Sequence, residues 1–326
     1  MENSQISWTH HTMNFIIGCR RVSPACASCY AGTLVQNRMG KPFYPPLDLG
    51  RVATDADSPV WRTKTWRDPI KWDREAREAG EVKRVFTCSL SDFLLDHPGV
   101  HEWRRDAWKV MRDTPNLLWL VLSKRWDLGA DYIAGCLPDD WGNGYPNVML
   151  GATVESQAQV PRIQTMAAVP CQRGRFVSIE PMVGPVGLGD AVLEWVIVGG
   201  ESGSKPRPMH PSWVRDLRDR CLRARIPFHF KQWGEYGPSG RLMTTGELVF
   251  REFSSFDHWV AKGSTWVRGG DILMDAHGRI CEMGRDMMRV RDEGVFPVTI
   301  ISRIGKKAAG RILDGRTWDD GPKDVL

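Results

Sequence analysis

Long apolar runs are missing from this sequence of 326 residues. No stretch reaches the roughly 18 apolar residues of a membrane-spanning helix. The first five residues, 1–5, lack the basic and apolar regions of a secretory signal. We therefore expect a cytoplasmic protein that has no membrane partner.

The motifs of two common enzyme classes are also absent. No Gly-x-Ser-x-Gly nucleophile elbow occurs, so hydrolase chemistry has no support. The glycine-rich run at residues 199–203 lacks the Gly-Lys-Ser/Thr ending of a phosphate loop and the full dinucleotide spacing. The formal net charge of +5 permits a polyanionic partner without requiring one.

Cysteine is present but unevenly distributed. A cytoplasmic chain does not use eight cysteines as a disulfide framework. Three of them, Cys19, Cys26 and Cys29, lie close together, and the other five are far apart. This distribution indicates one local metal site and five ordinary core residues.

Short apolar runs recur along the first two thirds of the sequence. They lie at residues 13–18, 84–89, 117–123, 148–154, 175–179, 195–200 and 227–231. Such near-continuous runs are typical of parallel strands buried on both faces. Helices are predicted between them, for example at 102–112 and at 214–225 with Ser212 as the N-cap. The pattern predicts an α/β fold, a complete or partial parallel βα barrel of six or seven strands.

The pattern changes after the seventh run. Glycine-rich turns separate short segments from Tyr236 onward, which predicts β-hairpins. We therefore expect a barrel core at 1–235, an inserted hairpin-rich subdomain at 236–299, and a C-terminal segment at 300–326 that packs back on the barrel.

The clustered cysteines form the motif Cys19-x6-Cys26-x2-Cys29, between the first run and a helix predicted to start at Tyr30. Three thiolates can bind three irons of a [4Fe–4S] cluster and leave the fourth iron for the amine and carboxylate of S-adenosyl-L-methionine (SAM). Zinc, with His10 or His11 as fourth ligand, is the alternative. The common radical SAM motif has three residues in the first gap, so it is not matched strictly. A loop after the first barrel strand favours the cluster, because barrels place their chemistry there.

Polar residues follow each of the later runs. They are Ser89, Ser91, Asp92, Ser123, Lys124, Thr153, Glu155, Glu180, Glu201 and Lys231. In a parallel barrel these strand ends meet at one mouth. Serines and threonines are expected wherever a strand continues into a polar loop. Charged residues beside buried runs, in contrast, usually need a partner or a ligand.

Several motifs in order carry a family resemblance. They include Val22-Ser23-Pro24-x-Cys26-x-x-Cys29-Tyr30-Ala31, Ser123-Lys124-Arg125, Phe176-Val177-Ser178-Ile179-Glu180-Pro181, Gly199-Gly200-Glu201-Ser202-Gly203 and Lys231-Gln232-Trp233-Gly234. With these motifs the sequence resembles a phage- and prophage-associated family of radical-SAM-like proteins without assigned function.

The resemblance implies that SAM binds at the strand ends. The residues expected to contact it are Ser89, Ser91, Asp92, Ser123, Lys124, Thr153 and Glu155, with Gly199 and Gly200 allowing close approach of the backbone. Glu180, Glu201 and Lys231 are then expected to face the substrate as catalytic residues.

The phage context of the family implies nucleic-acid chemistry. Our leading hypothesis is an isomerase- or lyase-type enzyme that generates a 5′-deoxyadenosyl radical and rearranges a modified thymine nucleotide in phage DNA. A flavodoxin- or ferredoxin-type protein would donate the electron, and a phage-encoded chain would act in the host cytoplasm. Two alternatives remain: a radical SAM enzyme acting on a peptide or small metabolite, and a non-catalytic nucleic-acid-binding protein stabilised by zinc or a cluster.

Overall fold

A seven-stranded parallel sheet forms the centre of the protein, whose computed structural model describes residues 1–47, 51–282 and 284–322. Each strand lies beside its predecessor in the chain. The strands are β1 (His11–Met13), β2 (Lys83–Thr87), β3 (Leu117–Ser123), β4 (Val148–Thr153), β5 (Arg175–Ile179), β6 (Trp195–Gly199) and β7 (Phe228–Gln232). The sheet curls into a half barrel, so the predicted α/β class with a partial parallel βα barrel is confirmed.

Helices alternate with most of these strands. They are α1 (Tyr30–Met39), α2 (Asp68–Ala79), α3 (Pro98–Arg112), α4 (Ala130–Cys136), α5 (Pro161–Ala167) and α6 (Pro211–Ala224). The predicted helix start at Tyr30 is confirmed. The prediction of Ser212 as an N-cap is wrong, because α6 begins earlier and the His210 imidazole accepts the Ser212 N–H (3.2 Å). Among the described residues, no helix is both long and apolar enough to cross a bilayer.

Burial on both faces explains why the strands read as continuous apolar runs. In β3, Leu118 and Leu120 point into the half barrel, where they pack with Phe176 and other buried side chains. Trp119 and Val121 alternate with them and pack on the opposite face, in the main core. Each such side chain contributes roughly 1.5–3 kcal/mol on burial, which fixes the register of the sheet.

The first strand lies earlier in the chain than predicted. The run at 13–18 contributes only Met13 to the parallel sheet, while Ile16–Ile17 pairs antiparallel with Trp61–Arg62. Ile17 is buried against Val35 and other residues of a separate small cluster, so its hydrophobicity reflects this loop packing. The cysteine loop therefore follows the short strand Ile16–Ile17, which lies outside the parallel sheet, and not the barrel strand itself.

The region after β7 builds smaller antiparallel sheets. Its elements are β8 (Tyr236–Gly237), β9 (Gly240–Arg241), β10 (Leu248–Val249), β11 (Arg251–Phe253), α7 (Phe256–Trp266), β12 (Ile272–Met274), β13 (Ile280–Cys281), α8 (Arg285–Glu293), β14 (Val298–Arg303) and α9 (Lys306–Ala309). Strand β14 pairs with β8, β11 and β12. The division into 1–235, 236–299 and 300–326 stays a prediction, and residues 323–326 of the last segment lie outside the described residues.

The outer edge of β7 is covered by both ends of the described chain. Phe230 N donates to Trp318 O (2.9 Å), and His229 forms an isolated antiparallel bridge with Asp319. Ser7 Oγ lies 2.9 Å from His229 Nε2. These contacts protect the last strand of an open sheet from pairing with another chain.

Candidate active site

The cysteine loop begins at a backbone position that only glycine can occupy. Gly18 has a φ of +112°, and a Cβ at this residue would overlap the carbonyl oxygen of Pro59. Only glycine fits such a conformation without strain. The next residue is held by a hydrogen bond from Cys19 N to Phe43 O (3.0 Å). The local backbone therefore fixes where the first cysteine of the motif begins.

The start of α1 positions the other two cysteines. A 3-10 turn at Pro24–Ser28 carries Cys26, whose N–H donates to Ser23 O (3.0 Å). Cys29 follows directly and is the N-cap residue of α1. Because the amino end of a helix favours nearby negative charge, this placement suits a thiolate.

One pocket receives all three cysteines together with most of the predicted polar strand ends. From the predicted site, its wall contains Cys19, Cys26, Cys29, Ser89, Ser91, Asp92, Ser123, Lys124, Thr153, Glu180, Gly200, Glu201 and Lys231. Glu155 and Gly199 are not part of the wall. Apolar side chains such as Trp8 and Phe86 line the deeper part inside the half barrel. The roles of these residues stay predictions, but their shared location is a property of the structure.

The Cys19 thiol faces a buried cation. Burial raises the pKa of Cys19 to about 12, while the Arg125 guanidinium acts in the opposite direction. Both terminal nitrogens of Arg125 lie 3.7 Å from Cys19 Sγ. The free thiol is therefore protonated at neutral pH, and a metal that binds here must displace its proton.

Arg125 and Asp92 organise the loop that follows β3. Arg125 forms ion pairs with Asp55 (2.6 Å) and Asp92 (3.1 Å). Asp92 also accepts hydrogen bonds from Ser123 Oγ (2.6 Å) and Lys124 N (2.9 Å). Asp92 and Ser123, both predicted to contact SAM, are thus hydrogen-bonded to each other in this arrangement.

Glu155 ties the cysteine loop to the end of β4. Its carboxylate accepts from Ser23 Oγ (2.7 Å), Lys124 Nζ (2.5 Å) and Arg162 (3.0 Å). Burial would raise the pKa of Glu155, but Lys124, Arg162 and Ser23 together hold it below its usual value. Ser23 Oγ in turn lies 3.5 Å from Cys26 Sγ. Glu155 is therefore an ionised carboxylate behind the wall, in contact with the loop that carries the cysteines.

The predicted serines join the loop after β2 to the cysteine segment. Ser91 Oγ donates to Gly18 O (2.7 Å). Ser89 Oγ lies 3.1–3.3 Å from the side-chain amide of Asn14, and Tyr30 OH donates to Ser89 O (3.1 Å). In this arrangement both serines face the pocket and also hold its two sides together.

The far side of the pocket contains two ion pairs. Lys231 Nζ lies 2.6 Å from Glu180, and both side chains remain about one-fifth exposed. Glu201 is more deeply buried and receives two guanidinium contacts from Arg207, at 2.6 and 2.8 Å. At Gly200 a Cβ would overlap the carbonyl oxygen of Trp233, the residue directly after β7, so only glycine fits at this position.

The histidines considered for a zinc site lie elsewhere. His10 Nδ1 accepts the backbone N–H of Arg84 (2.8 Å), and the His11 ring stacks on Trp72 with centroids 4.5 Å apart. Both residues sit at the amino end of β1, opposite the cysteine end of the sheet. Over residues 1–47, 51–282 and 284–322, no three His, Cys, Asp or Glu side chains converge on a position for a single metal ion.

The donor set of the pocket fits an iron–sulfur cluster with one open iron. Thiolates are the ligands that such clusters prefer, and three cysteines on one loop leave one of four irons without a protein ligand. Positive charge from Arg125 and from the amino end of α1 would compensate the negative charge of thiolates that bind a cluster. The residues present are therefore compatible with the cluster and with SAM as the fourth ligand.

Sequence reasoning missed five residues that build this site. They are Ser23, Asp55, Cys88, Arg125 and Arg207. Arg125 directly follows a predicted strand end and belongs to the motif Ser123-Lys124-Arg125, but the motif assigns it no role. Cys88 lies in the pocket wall with a positive φ of 57°, which no sequence pattern indicates. Asp55 comes from the long loop between α1 and α2, so only the folded chain brings it to Arg125.

The fold and its pocket define the protein as a half-barrel α/β protein with a cysteine-lined cavity at the strand ends. Residues 3–322 match a family described as "Protein of unknown function (DUF5131)", and the chain belongs to that family. No curated protein matches the chain. The family description gives no activity, and the phage association expected from the resemblance stays a prediction.

Solved structures of spore photoproduct lyase are similar to this chain at low identity. A single-residue variant of that enzyme is 13% identical, with a TM-score of 0.38. Its complex with dinucleoside spore photoproduct is 11% identical, also with a TM-score of 0.38. Each match covers 91% of this chain and 76% of the other.

Proposed function

We propose that the protein is a radical SAM enzyme and that Cys19, Cys26 and Cys29 hold its [4Fe–4S] cluster. The observation that carries this proposal is the shared pocket: three thiols from one loop face the polar ends of parallel strands. When bound, the reduced cluster would supply one electron for the cleavage of SAM to methionine and a 5′-deoxyadenosyl radical. The chain's own task is to hold these groups, exclude water and orient a substrate.

Lys124 is the residue best placed to bind the SAM carboxylate. Its ammonium group lies in the pocket wall and is held by the buried Glu155 behind it. We assign Thr153 and the serines Ser89 and Ser91 to SAM hydroxyl and amino groups, in keeping with their place on the same wall. Glu155 then acts through Lys124 and Ser23, as a positioning residue and not as a direct SAM contact.

Glu180, Glu201 and Lys231 form the substrate side in this proposal. The Glu180–Lys231 pair is partly exposed in the pocket, so either group can exchange its partner for a polar group of a substrate. Closure of the deeper pocket by apolar side chains keeps water from the radical. We assign to these three residues the orientation of the carbon whose hydrogen is removed.

We further propose a modified thymine nucleotide in DNA as the substrate, which the enzyme rearranges after hydrogen abstraction. The support is the charge of residues 3–47, which contain no Asp or Glu and carry the exposed basic residues Arg21, Arg38 and Lys41. Arg20 lies in the same segment but is paired with Asp55. Because this segment includes the cysteine loop, a polyanion would approach the pocket mouth along it. A base in a duplex must leave the stack to reach the cluster. A flavodoxin- or ferredoxin-type donor would supply the electron.

Anaerobic reconstitution with iron and sulfide tests the cofactor assignment. The wild-type chain should turn brown, bind about four irons, and cleave SAM with dithionite to methionine and 5′-deoxyadenosine. A Cys26→Ser variant should lose both iron and cleavage. Cys171→Ser, which changes a buried cysteine that is not part of the pocket wall, should retain them. A colourless protein with one stoichiometric zinc and no SAM cleavage would overturn the proposal.

Salt-dependent binding tests the substrate class. An Arg38→Ala/Lys41→Ala variant should bind duplex DNA more weakly and lower the slope of log K against log salt by about 1 to 2. A Lys306→Ala/Lys307→Ala variant removes the same charge from exposed residues of α9 and should leave the slope unchanged. Nucleoside analysis of phage DNA with and without the gene then identifies the product. Absence of any DNA binding, with SAM cleavage intact, would favour a peptide or small metabolite.

A further inference from the structure

We propose that Arg125 and Asp55 together set the reduction potential of the centre held by Cys19. This inference rests on the proposed function, because it concerns the cluster that the three cysteines would bind. Arg125 is a positioning residue in this proposal, since it touches a cluster ligand and not the substrate. Asp55 acts one step further away, through Arg125.

The proposal starts from the contact between the buried Arg125 guanidinium and the Cys19 thiol. Arg125 is 1% exposed, and its partners come from three separate loops. Nε donates to Asp55 (2.6 Å), one terminal nitrogen contacts Asp92 (3.1 Å), and the other donates to Arg20 O (3.0 Å). A purely structural role, in which Arg125 holds these loops together, explains its contacts to oxygen atoms. Such a role does not explain why both terminal nitrogens of Arg125 lie 3.7 Å from Cys19 Sγ.

The charges around Arg125 balance before any thiolate is added. Two cations, Arg125 and Arg20, face two anions, Asp55 and Asp92, and Arg20 contacts Asp55 at 2.6 Å. A thiolate at Cys19 adds one negative charge at the end of this network. Arg125 is the cation closest to that charge, and water cannot screen it because the side chain is buried.

This arrangement gives the two residues opposite effects on a one-electron reduction. Reduction adds negative charge to the cluster and its thiolates, so a nearby guanidinium stabilises the reduced form more than the oxidised form. Hydrogen bonds to cluster sulfurs act in the same direction. Asp55 opposes it, because its carboxylate neutralises part of the Arg125 charge. Removal of Arg125 should therefore make reduction harder, and removal of the Asp55 charge should make it easier.

The test is an anaerobic redox titration of the cluster-loaded protein, followed by electron paramagnetic resonance. At a fixed potential, Arg125→Gln should lower the ratio of reduced to oxidised cluster about tenfold, which corresponds to about 59 mV for a one-electron couple. Asp55→Asn, which keeps the shape of the side chain, should raise the ratio by a comparable factor. Arg125→Lys keeps the charge and should restore part of the loss.

A second buried arginine provides the matched control. Arg104 is 3% exposed and donates to the backbone carbonyls of Phe93 and Leu95, away from the cysteine loop. Arg104→Gln should destabilise the fold without changing the potential of the cluster. If Arg125→Gln fails to fold, the upward shift in Asp55→Asn alone decides the question.

The two failures are distinguishable. A wild-type chain that binds no cluster would refute the proposed function. A normal cluster whose potential is unchanged in Asp55→Asn, or moves in the same direction in both variants, would refute the role of Arg125 and Asp55 and leave the proposed function intact.

Discussion

Replacement of Glu155 by glutamine should destabilise the protein strongly even though this residue is not part of the pocket wall. The carboxylate is 1% exposed and compensates Lys124 and the buried Arg162. Removing one partner of a buried ion pair costs about 3–5 kcal/mol, because the remaining charge stays buried without compensation. Because glutamine keeps the shape of the side chain and one acceptor oxygen, we expect a loss at the lower end of this range, about 3 kcal/mol in the free energy of unfolding. With a typical dependence of about 3 kcal/mol per molar urea, the unfolding midpoint should fall by about 1 M.

Equilibrium urea unfolding of the apo protein measures this change, and iron content after reconstitution gives a second readout. Because Glu155 also holds Ser23 on the cysteine loop, the Glu155→Gln variant should bind less iron than wild type. Asp127→Asn is the matched control: Asp127 pairs with the same Arg162 at 3.6 Å but is 56% exposed. Its midpoint should change little, since exposed pairs contribute about 0–1 kcal/mol. Equal midpoints for the two variants would contradict the reasoning.

The structure gives three further predictions. Burial lowers the pKa of His210 and of His229 from 6.5 to about 4, so the unfolded chain binds more protons than the folded chain between pH 6.5 and pH 4. The contribution of each histidine to the free energy of unfolding should be complete above pH 6.5 and fall by about 3 kcal/mol towards pH 4. Urea midpoints that do not change with pH would contradict this prediction. Gly200→Ala should prevent folding because the new Cβ overlaps backbone, whereas Gly135→Ala, with open space around it, should stay within about 1 kcal/mol of wild type by the same measurement. Lys231→Met should change stability by less than about 1 kcal/mol but lower substrate turnover about a hundredfold, and steady-state kinetics that match wild type would remove it from the substrate side.

The sheet could be predicted closely because its strands are buried on both faces. Residues 117–123 and 175–179 were predicted with the bounds that β3 and β5 have in the structure. The prediction of the first strand is wrong, because Ile16 and Ile17 are as apolar as a barrel strand but pair antiparallel with Trp61–Arg62 outside the parallel sheet. Hydrophobicity shows that a residue is buried, but it does not show against which element.

The members of the candidate site were predicted better than their contacts. Strand ends meet at one mouth in any parallel barrel, so the location of Lys124 and Lys231 follows from topology. The partners of each side chain depend on loops whose paths the sequence pattern does not encode. Glu155 thus lies behind the wall against Ser23, and Asp55 reaches Arg125 from a segment 70 positions earlier in the chain.

The cover on the last barrel strand has a consequence for synthesis of the protein on the ribosome. The amide of Phe230 finds its partner at Trp318, and His229 pairs with Asp319. The half barrel can form strand by strand as it emerges, but the edge of β7 stays open until residue 319 has left the exit tunnel. During that interval the nascent chain presents an unpaired parallel edge, the kind of surface on which chaperones act. The time between the emergence of β7 and that of residue 319 therefore sets how long this edge is exposed to misassembly.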